Sequence, residues 1–319
     1  MAEYAGGSAA GLPRLEPLMT VRTRALDVAY YEAGPADGQA VLLLHGFPYD
    51  IHSYAEVVPM LAGAGLRVIV PYLRGFGPTR FADLATPRSG QQAALGSDVI
   101  DLMDALGIDR AILAGYDWGG RGACVAAALW PERCAGLVSV NEGGYLIMDI
   151  AAAASPIRPE LEAGLWFFFY FATERGRSGL AANRHDLARL LWTQLSPSWQ
   201  FGDATFDRTA QAYANPDFVE VAIHFFRHRL GLARGYAAYE DLERQLAGQP
   251  PITVPAITLD GQAGGPDFPA TDGTASAAHF AGPRIHRQVP DAGHNLPQEN
   301  PRAFADAVLD LANSAADLR

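Results

Sequence analysis

The chain has 319 residues and a formal net charge of −11 at pH 7, with 49% hydrophobic residues. This length is enough to bury a sizeable core. The acidic balance and the lack of a basic run argue against nucleic acid or an anionic membrane as a partner, because both are recognised through clustered Lys and Arg. The two cysteines, Cys124 and Cys134, resemble neither a disulfide framework nor a metal site. We therefore expect a cytoplasmic protein with no metal.

The N-terminal region predicts a tail followed by a parallel sheet. Residues 1–11 are rich in Gly and Ala and lack the pattern of a signal peptide, so we predict a flexible tail over residues 1–19. Residues 20–142 alternate short apolar runs with helix-like segments, a pattern typical of βαβ units. The predicted strands are 26–31, 40–44, 67–70, 111–114 and 136–140, and the predicted helices are 53–64, 91–106 and 121–130.

Residues 143–249 interrupt this alternation with an aromatic, Arg-rich and helical pattern. Glycine- and proline-rich stretches at residues 142–144 and 248–251 bound the segment as hinges, which predicts an inserted lid. Its apolar run at 165–171 is far shorter than the roughly 20 residues that cross a bilayer. The alternation returns over residues 250–319, with strands at 256–259 and 284–288 and helices at 274–280 and 301–315.

The sequence Gly115-Tyr116-Asp117-Trp118-Gly119-Gly120 has the pattern of a nucleophile elbow, with Asp where most elbows carry Ser. Small residues on both sides allow a strand to turn sharply into a helix, which exposes the middle side chain. An aspartate that attacks saturated carbon forms an ester that water can cleave, whereas a serine would form a stable ether. The elbow therefore predicts chemistry on epoxides or alkyl halides, although Asp117 would also suit a helix N-cap.

Two further motifs complete the predicted site. His45-Gly46-Phe47-Pro48 follows a strand, so the Phe47 N–H joins that of Trp118 in a predicted oxyanion hole. His294 lies in a loop after the last strand and is the predicted general base. His224 and His228 are four apart in the lid, and we expect a polar helix face there, because no third ligand has suitable spacing.

These motifs, with Arg74-Gly75-Phe76-Gly77-Pro78-Thr79, resemble the epoxide hydrolases of the α/β-hydrolase fold over about residues 26–311. The resemblance implies an α/β fold with a mostly parallel, doubly wound sheet and a helical lid, and it implies catalysis without a cofactor. It also implies that two lid tyrosines donate hydrogen bonds to the epoxide oxygen. Tyr170 matches the first of these. The bias in composition and the lid are also similar to epoxide hydrolases of bacterial natural-product pathways.

The chain departs from the family pattern at two positions. Phe226 occupies the place of the second tyrosine and cannot donate, which leaves Tyr170 alone or another donor such as Tyr236 or Tyr239. Gly264 occupies the place of the acid that orients the histidine. Glu142 is the first candidate to replace that acid. It follows the predicted strand at residues 136–140, and related hydrolases with aspartate nucleophiles can carry the acid after this strand. The other candidates are Asp260 and Asp267.

The predicted function is epoxide hydrolysis through an Asp117 ester, with His294, Tyr170 and Glu142 in the catalytic set. A haloalkane dehalogenase, in which Trp166 would serve as a halide donor, is the first alternative, and a ligand-binding protein with little turnover is the second. Trp166, Phe226 and Tyr236 predict an apolar or aromatic small-molecule epoxide as substrate. They are equally consistent with lid core. The sequence leaves the oligomeric state open, a homodimer included.

Overall fold

A computed structural model describes residues 13–265 and 269–316. Its strands form one nine-stranded sheet in the order β1-β2-β4-β3-β6-β7-β8-β9, with β5 also paired to β2. All pairings from β4 through β9 in this order are parallel, whereas β2 pairs antiparallel with its neighbours. The strands are β1 (Met19–Arg22), β2 (Leu26–Ala33), β3 (Ala40–Leu44), β4 (Arg67–Pro71), β5 (Arg80–Phe81), β6 (Ala111–Tyr116), β7 (Cys134–Val140), β8 (Ala256–Gly261) and β9 (Arg284–Val289).

Helices flank this sheet along the described chain. None of them is long and apolar enough to cross a membrane. Seven helices, α4 to α10, lie between β7 and β8 within the segment predicted as a lid. The helices are α1 (Val57–Gly63), α2 (Gln92–Ala105), α3 (Asp117–Leu129), α4 (Pro159–Gly164), α5 (Trp166–Ala172), α6 (Glu174–Ala182), α7 (Arg184–Leu195), α8 (Asp203–Ala210), α9 (Phe218–Arg229), α10 (Glu240–Ala247), α11 (Leu296–Glu299) and α12 (Pro301–Ala316).

The core is centred on β3 and β6, whose residues are all buried. Parallel strands covered by helices on both faces carry continuous apolar runs, which explains why these strands are readable from sequence. Helices α2 and α3 approach closely at Gly96, where a Cβ would lie 2.8 Å from the Cβ of Val125. Glycine at this position therefore allows α2 to pack closely against α3, the helix that follows the elbow.

Several predicted boundaries differ from the structure. The predicted helix 53–64 starts only at Val57, because a 3-10 turn at Ile51–Tyr54, capped by the Asp50 side chain, precedes it. The predicted helix 274–280 is a 3-10 turn at Ala277–His279. Strands β1 and β5 were not predicted, since both are short and β1 is largely exposed. Met19 already pairs with Tyr30, so the chain is ordered before the predicted tail ends, while residues 1–12 lie outside the described residues.

Candidate active site

Asp117 lies at the turn between β6 and α3 with φ +50°, a left-handed conformation that few non-glycine residues adopt. Glycines on both sides make this turn tight. A Cβ at Gly115 would lie 2.7 Å from the carbonyl carbon of Gly119, and a Cβ at Gly119 would collide with the backbone of Leu44. The structure therefore has the geometry of a nucleophile elbow, and it explains why small residues flank Asp117.

One oxygen of the Asp117 carboxylate is held by backbone donors. The Phe47 N–H donates to Oδ1 at 2.7 Å, and the Trp118 N–H also donates to this side chain. Burial acts to raise the pKa of Asp117, but the nearby His294 ring and the backbone N–H groups of Phe47 and Trp118 outweigh burial and lower it. Asp117 is therefore an ionised carboxylate with one oxygen fixed and the other, Oδ2, directed at His294.

His294 lies in the loop between β9 and α11, with its Nε2 3.6 Å from Oδ2 of Asp117. The Glu299 carboxylate holds this loop, because it accepts from the Gly293 N–H at 2.7 Å, the Asn295 N–H at 3.0 Å and the Ser196 hydroxyl at 2.6 Å. The structure thus brings the predicted nucleophile and base together. The sequence analysis did not identify Glu299, whose only signal was an acid five residues after the histidine.

Asn141, the residue after β7, occupies the other side of the His294 ring. Its amide nitrogen lies 3.3 Å from Nδ1 and donates to the His294 carbonyl oxygen at 3.1 Å. This second contact fixes the orientation of the amide, because a carbonyl oxygen must face a donor. Nδ1 therefore faces an amide N–H group where the family pattern places a carboxylate.

Of the three candidate acids, the two that the structure describes, Glu142 and Asp260, do not reach this ring. Glu142 is exposed and makes no hydrogen bond or ion pair there, so the predicted pairing of Glu142 with His294 is not formed. The Asp260 carboxylate accepts from the Gly143 N–H at 3.1 Å and from the backbone N–H of Thr271 at 2.9 Å. It therefore supports the turn after β7. Asp267 lies outside the described residues. Asn141 was not predicted, because the family pattern calls for an acid here and Glu142 is the neighbouring residue.

A cavity of about 370 Å³ opens over Asp117 and His294 at the carboxyl ends of the strands. Loops after the strands form its floor, and α4, α5, α7 and α9 form its roof. Its lining is mostly apolar, with four charged side chains. These are Asp117, Arg121, Glu142 and Arg229.

Comparison with known proteins agrees with this geometry. The α/β hydrolase fold family matches residues 39–301. The chain belongs to the α/β-hydrolase fold family. The predicted fold class is therefore confirmed.

Named relatives of this α/β-hydrolase include two from Mycobacterium tuberculosis. Epoxide hydrolase B is 36% identical over 149 residues, which cover 44% of this chain and 41% of that protein. The chain thus matches less than half the length of this curated relative. Epoxide hydrolase A is 25% identical over 313 residues, covering 91% of this chain and 95% of that protein. A solved structure of a candidate epoxide hydrolase from Klebsiella pneumoniae subsp. pneumoniae is 49% identical, with a TM-score of 0.90, and covers 96% of this chain and 100% of that one. The resemblance to epoxide hydrolases is confirmed by these similarities.

The aromatic residues predicted in the lid of this α/β-hydrolase divide between two faces. Phe226 lines the cavity, whereas Tyr170, Trp166 and Tyr236 do not. The Tyr170 hydroxyl packs against Gly179 of α6. The indole N–H of Trp166 donates to Gln194 at 2.7 Å. Trp166 and Tyr170 are four apart on α5 and share the face turned away from the cavity, while Phe167 and Phe168 line it.

The other lid tyrosines and histidines singled out from the sequence lie outside the cavity lining. The Tyr236 ring stacks on His224 with centroids 4.9 Å apart, and the Tyr239 hydroxyl lies 3.3 Å from the Arg74 guanidinium. His224 accepts from the Gly90 N–H and stacks on His228. Among the described residues there is no cluster of three His, Cys, Asp or Glu side chains that could hold a metal. No described tyrosine lines the cavity.

Proposed function

We propose that this α/β-hydrolase opens epoxides to vicinal diols through a covalent ester on Asp117. The observation that carries the proposal is the Asp117 carboxylate, with Oδ1 held by the Phe47 N–H and Oδ2 facing both His294 and the cavity. The names of the relatives support epoxides as the substrate class. No metal or cofactor is needed for this chemistry.

In the first step Oδ2 attacks an epoxide carbon, the carbon–oxygen bond breaks, and a hydroxyalkyl ester of Asp117 forms as the alkoxide takes a proton from water. In the second step water attacks the carboxyl carbon of that ester while His294 accepts its proton. The negative charge of the tetrahedral intermediate develops on the oxygen beside the Phe47 N–H, which already donates to it, with the Trp118 N–H as the second proposed donor. On collapse the leaving diol oxygen takes the proton from His294, and loss of the remaining acid proton to water regenerates the Asp117 carboxylate.

The lining of the cavity favours an apolar or aromatic substrate. Phe167, Phe168, Phe225 and Phe226 all face the space above Asp117. Phe225 also packs on Trp118, with ring centroids 4.2 Å apart. We therefore propose aryl-substituted epoxides as the first compounds to test, with styrene oxide as the simplest.

A single turnover in ¹⁸O-labelled water tests the covalent step. The proposal expects one ¹⁸O atom in the peptide that contains Asp117, because water attacks the carboxyl carbon and not the substrate. The matched variant Asp117→Asn should form no diol and incorporate no label. Diol formation by wild type without label in Asp117 would show direct attack by water and refute the ester.

Halide displacement by the same nucleophile is a second candidate, favoured by the absence of a tyrosine hydroxyl from the described lining of the cavity. A halide leaves without a proton, so it needs no such donor. Against it, the indole N–H of Trp166, the predicted halide donor, is bound to Gln194. Release of halide from a haloalkane panel, compared with diol from styrene oxide, separates the two reactions.

A further inference from the structure

The cavity contains a buried cation that the proposed chemistry does not use. Arg121 is 3% exposed, yet it lines the cavity above Asp117. Its guanidinium donates to the Leu146 carbonyl oxygen, and its buried Nε has no acceptor among the described residues. Burial, together with the nearby charge of Arg229, lowers the pKa of Arg121 to about 10, so the side chain is still charged at neutral pH.

Such an arrangement is costly unless something else binds there. A buried charge without a partner is destabilising by several kcal/mol, and a guanidinium has five N–H donors to satisfy. The contact with Leu146 uses few of them. No described carboxylate lies within 4 Å of Arg121 or of Arg229, whose guanidinium carbon is 4.7 Å from the centre of the Phe168 ring. Both cations therefore face a mostly apolar cavity with donors available.

The charges of the lining also favour an anionic ligand. In the free protein the positive charges of Arg121 and Arg229 equal the negative charges of Asp117 and Glu142, so the lining has no net charge. Alkylation of Asp117 converts its carboxylate into a neutral ester, so the lining then carries one net positive charge. A carboxylate on the bound substrate would neutralise that charge in the intermediate.

Position along α3 relates this cation to the reacting atoms. Asp117 lies at the elbow and Arg121 lies one turn into α3, and both side chains line the same cavity. A group bound at Arg121 would therefore hold the rest of the ligand beside Oδ2 of Asp117. Planar guanidinium groups bind carboxylates through two parallel hydrogen bonds, which would also orient the ligand.

We propose that the substrate is an epoxide that carries a carboxylate, and that Arg121, assisted by Arg229, binds this carboxylate. The inference rests on the proposed function for its reaction, but the binding of a carboxylate is a property of the cavity alone. The aromatic lining would accept the remainder of the substrate. A 3-aryl glycidate combines the three features, namely the epoxide ring, the carboxylate and an aromatic group.

The binding test uses unreactive ligands and so does not depend on turnover. Calorimetry with 3-phenylpropionate and its neutral amide should show the carboxylate binding roughly 10- to 100-fold more tightly to wild type, as expected for a charge-assisted pair. Arg121→Met should abolish that preference, Arg121→Lys should retain part of it, and Arg229→Met should reduce it. Arg227→Met is the matched control, since Arg227 lies on α9 but donates to Ala172 and Glu174, outside the cavity.

Equal affinity of wild type for the carboxylate and the amide would overturn the inference, as would a preference that survives in Arg121→Met. The kinetic counterpart compares kcat/KM for 3-phenylglycidate and 3-phenylglycidamide, and the ratio should fall in Arg121→Met by a similar factor. If neither compound is hydrolysed while the carboxylate preference in binding persists, the proposed reaction fails and the carboxylate site stands. Circular dichroism of each variant confirms that it is folded.

Discussion

The contact between Asn141 and His294 makes the replacement Asn141→Asp the most informative change in this protein. A histidine that activates water needs an acceptor at its other ring nitrogen, which fixes the tautomer and stabilises the imidazolium. Here Nδ1 faces an amide N–H at 3.3 Å. Aspartate has the same shape as asparagine, so the backbone strain of φ +77° and ψ 160° at this position is common to both residues. The substitution supplies an acceptor to Nδ1 and removes the hydrogen bond from the amide to the His294 carbonyl oxygen.

The expected gain follows from the hydrogen bond that the new carboxylate can accept. A hydrogen bond to a charged group contributes about 1.5–3 kcal/mol. Since each 1.36 kcal/mol is a factor of ten in rate, hydrolysis of the ester should accelerate about 10- to 150-fold. The reverse substitution in a serine protease triad costs about 10⁴-fold, which sets an upper bound.

Rapid-quench kinetics with styrene oxide can isolate this step. In wild type we expect the Asp117 ester to accumulate in a burst, visible by intact-protein mass spectrometry, because formation of the ester does not require the base. In Asn141→Asp the burst should shrink and the steady-state rate should rise, while the rate of ester formation stays the same.

Glu142→Gln is the control, because Glu142 is exposed and does not contact the His294 ring. Its rate of ester hydrolysis should stay within about twofold of wild type. The reasoning is refuted if Asn141→Asp leaves ester hydrolysis unchanged while Glu142→Gln abolishes it. Glu142 would then be the orienting acid in solution, as the sequence suggests.

Three further predictions test the elbow and the lid. Tyr170→Phe should alter the rate of ester formation less than about twofold, because the Tyr170 hydroxyl packs on Gly179 outside the cavity. Phe226→Tyr places a hydrogen-bond donor in the cavity and should raise that rate about tenfold or more. Stopped-flow fluorescence measures the rate of ester formation in both variants. Gly119→Ala should lower the free energy of unfolding by about 1–3 kcal/mol through its clash with Leu44, while Gly63→Ala, with open space around it, should cause no loss in urea titrations. The lowered pKa of Asp117 means that its ionised form stabilises the fold above about pH 4 and that this contribution is lost as pH falls through the folded-state pKa. Asp117→Asn should therefore show a shallower fall of Tm than wild type between about pH 5 and 3.

The sheet and the elbow were predictable because their signals are local. Buried parallel strands such as β3 and β6 are continuous apolar runs, so their positions could be read with errors of one or two residues. The predictions failed where a short or exposed element has no such run, as for β1, or where a 3-10 turn replaces helix, as at Ala277–His279.

The lid shows why side-chain roles were harder to predict. The run from Trp166 to Phe171 has aromatic residues at every position, so no polar residue marks which face of α5 lies towards the cavity. Packing against α6 and α9 decides that face. It turns Tyr170 and Trp166 away and presents Phe167 and Phe168.

The sequence by itself located the proposed nucleophile, the proposed base and the buried parallel strands that carry them, because each depends on a short motif at the end of a buried strand. Only the tertiary structure decided which side chain meets the far side of His294 and which cation faces the cavity. The contact between Asn141 and His294 joins residues more than 100 positions apart. The next residue after β7, Glu142, is exposed, so one position along the chain separates the amide that meets the His294 ring from an acid that does not.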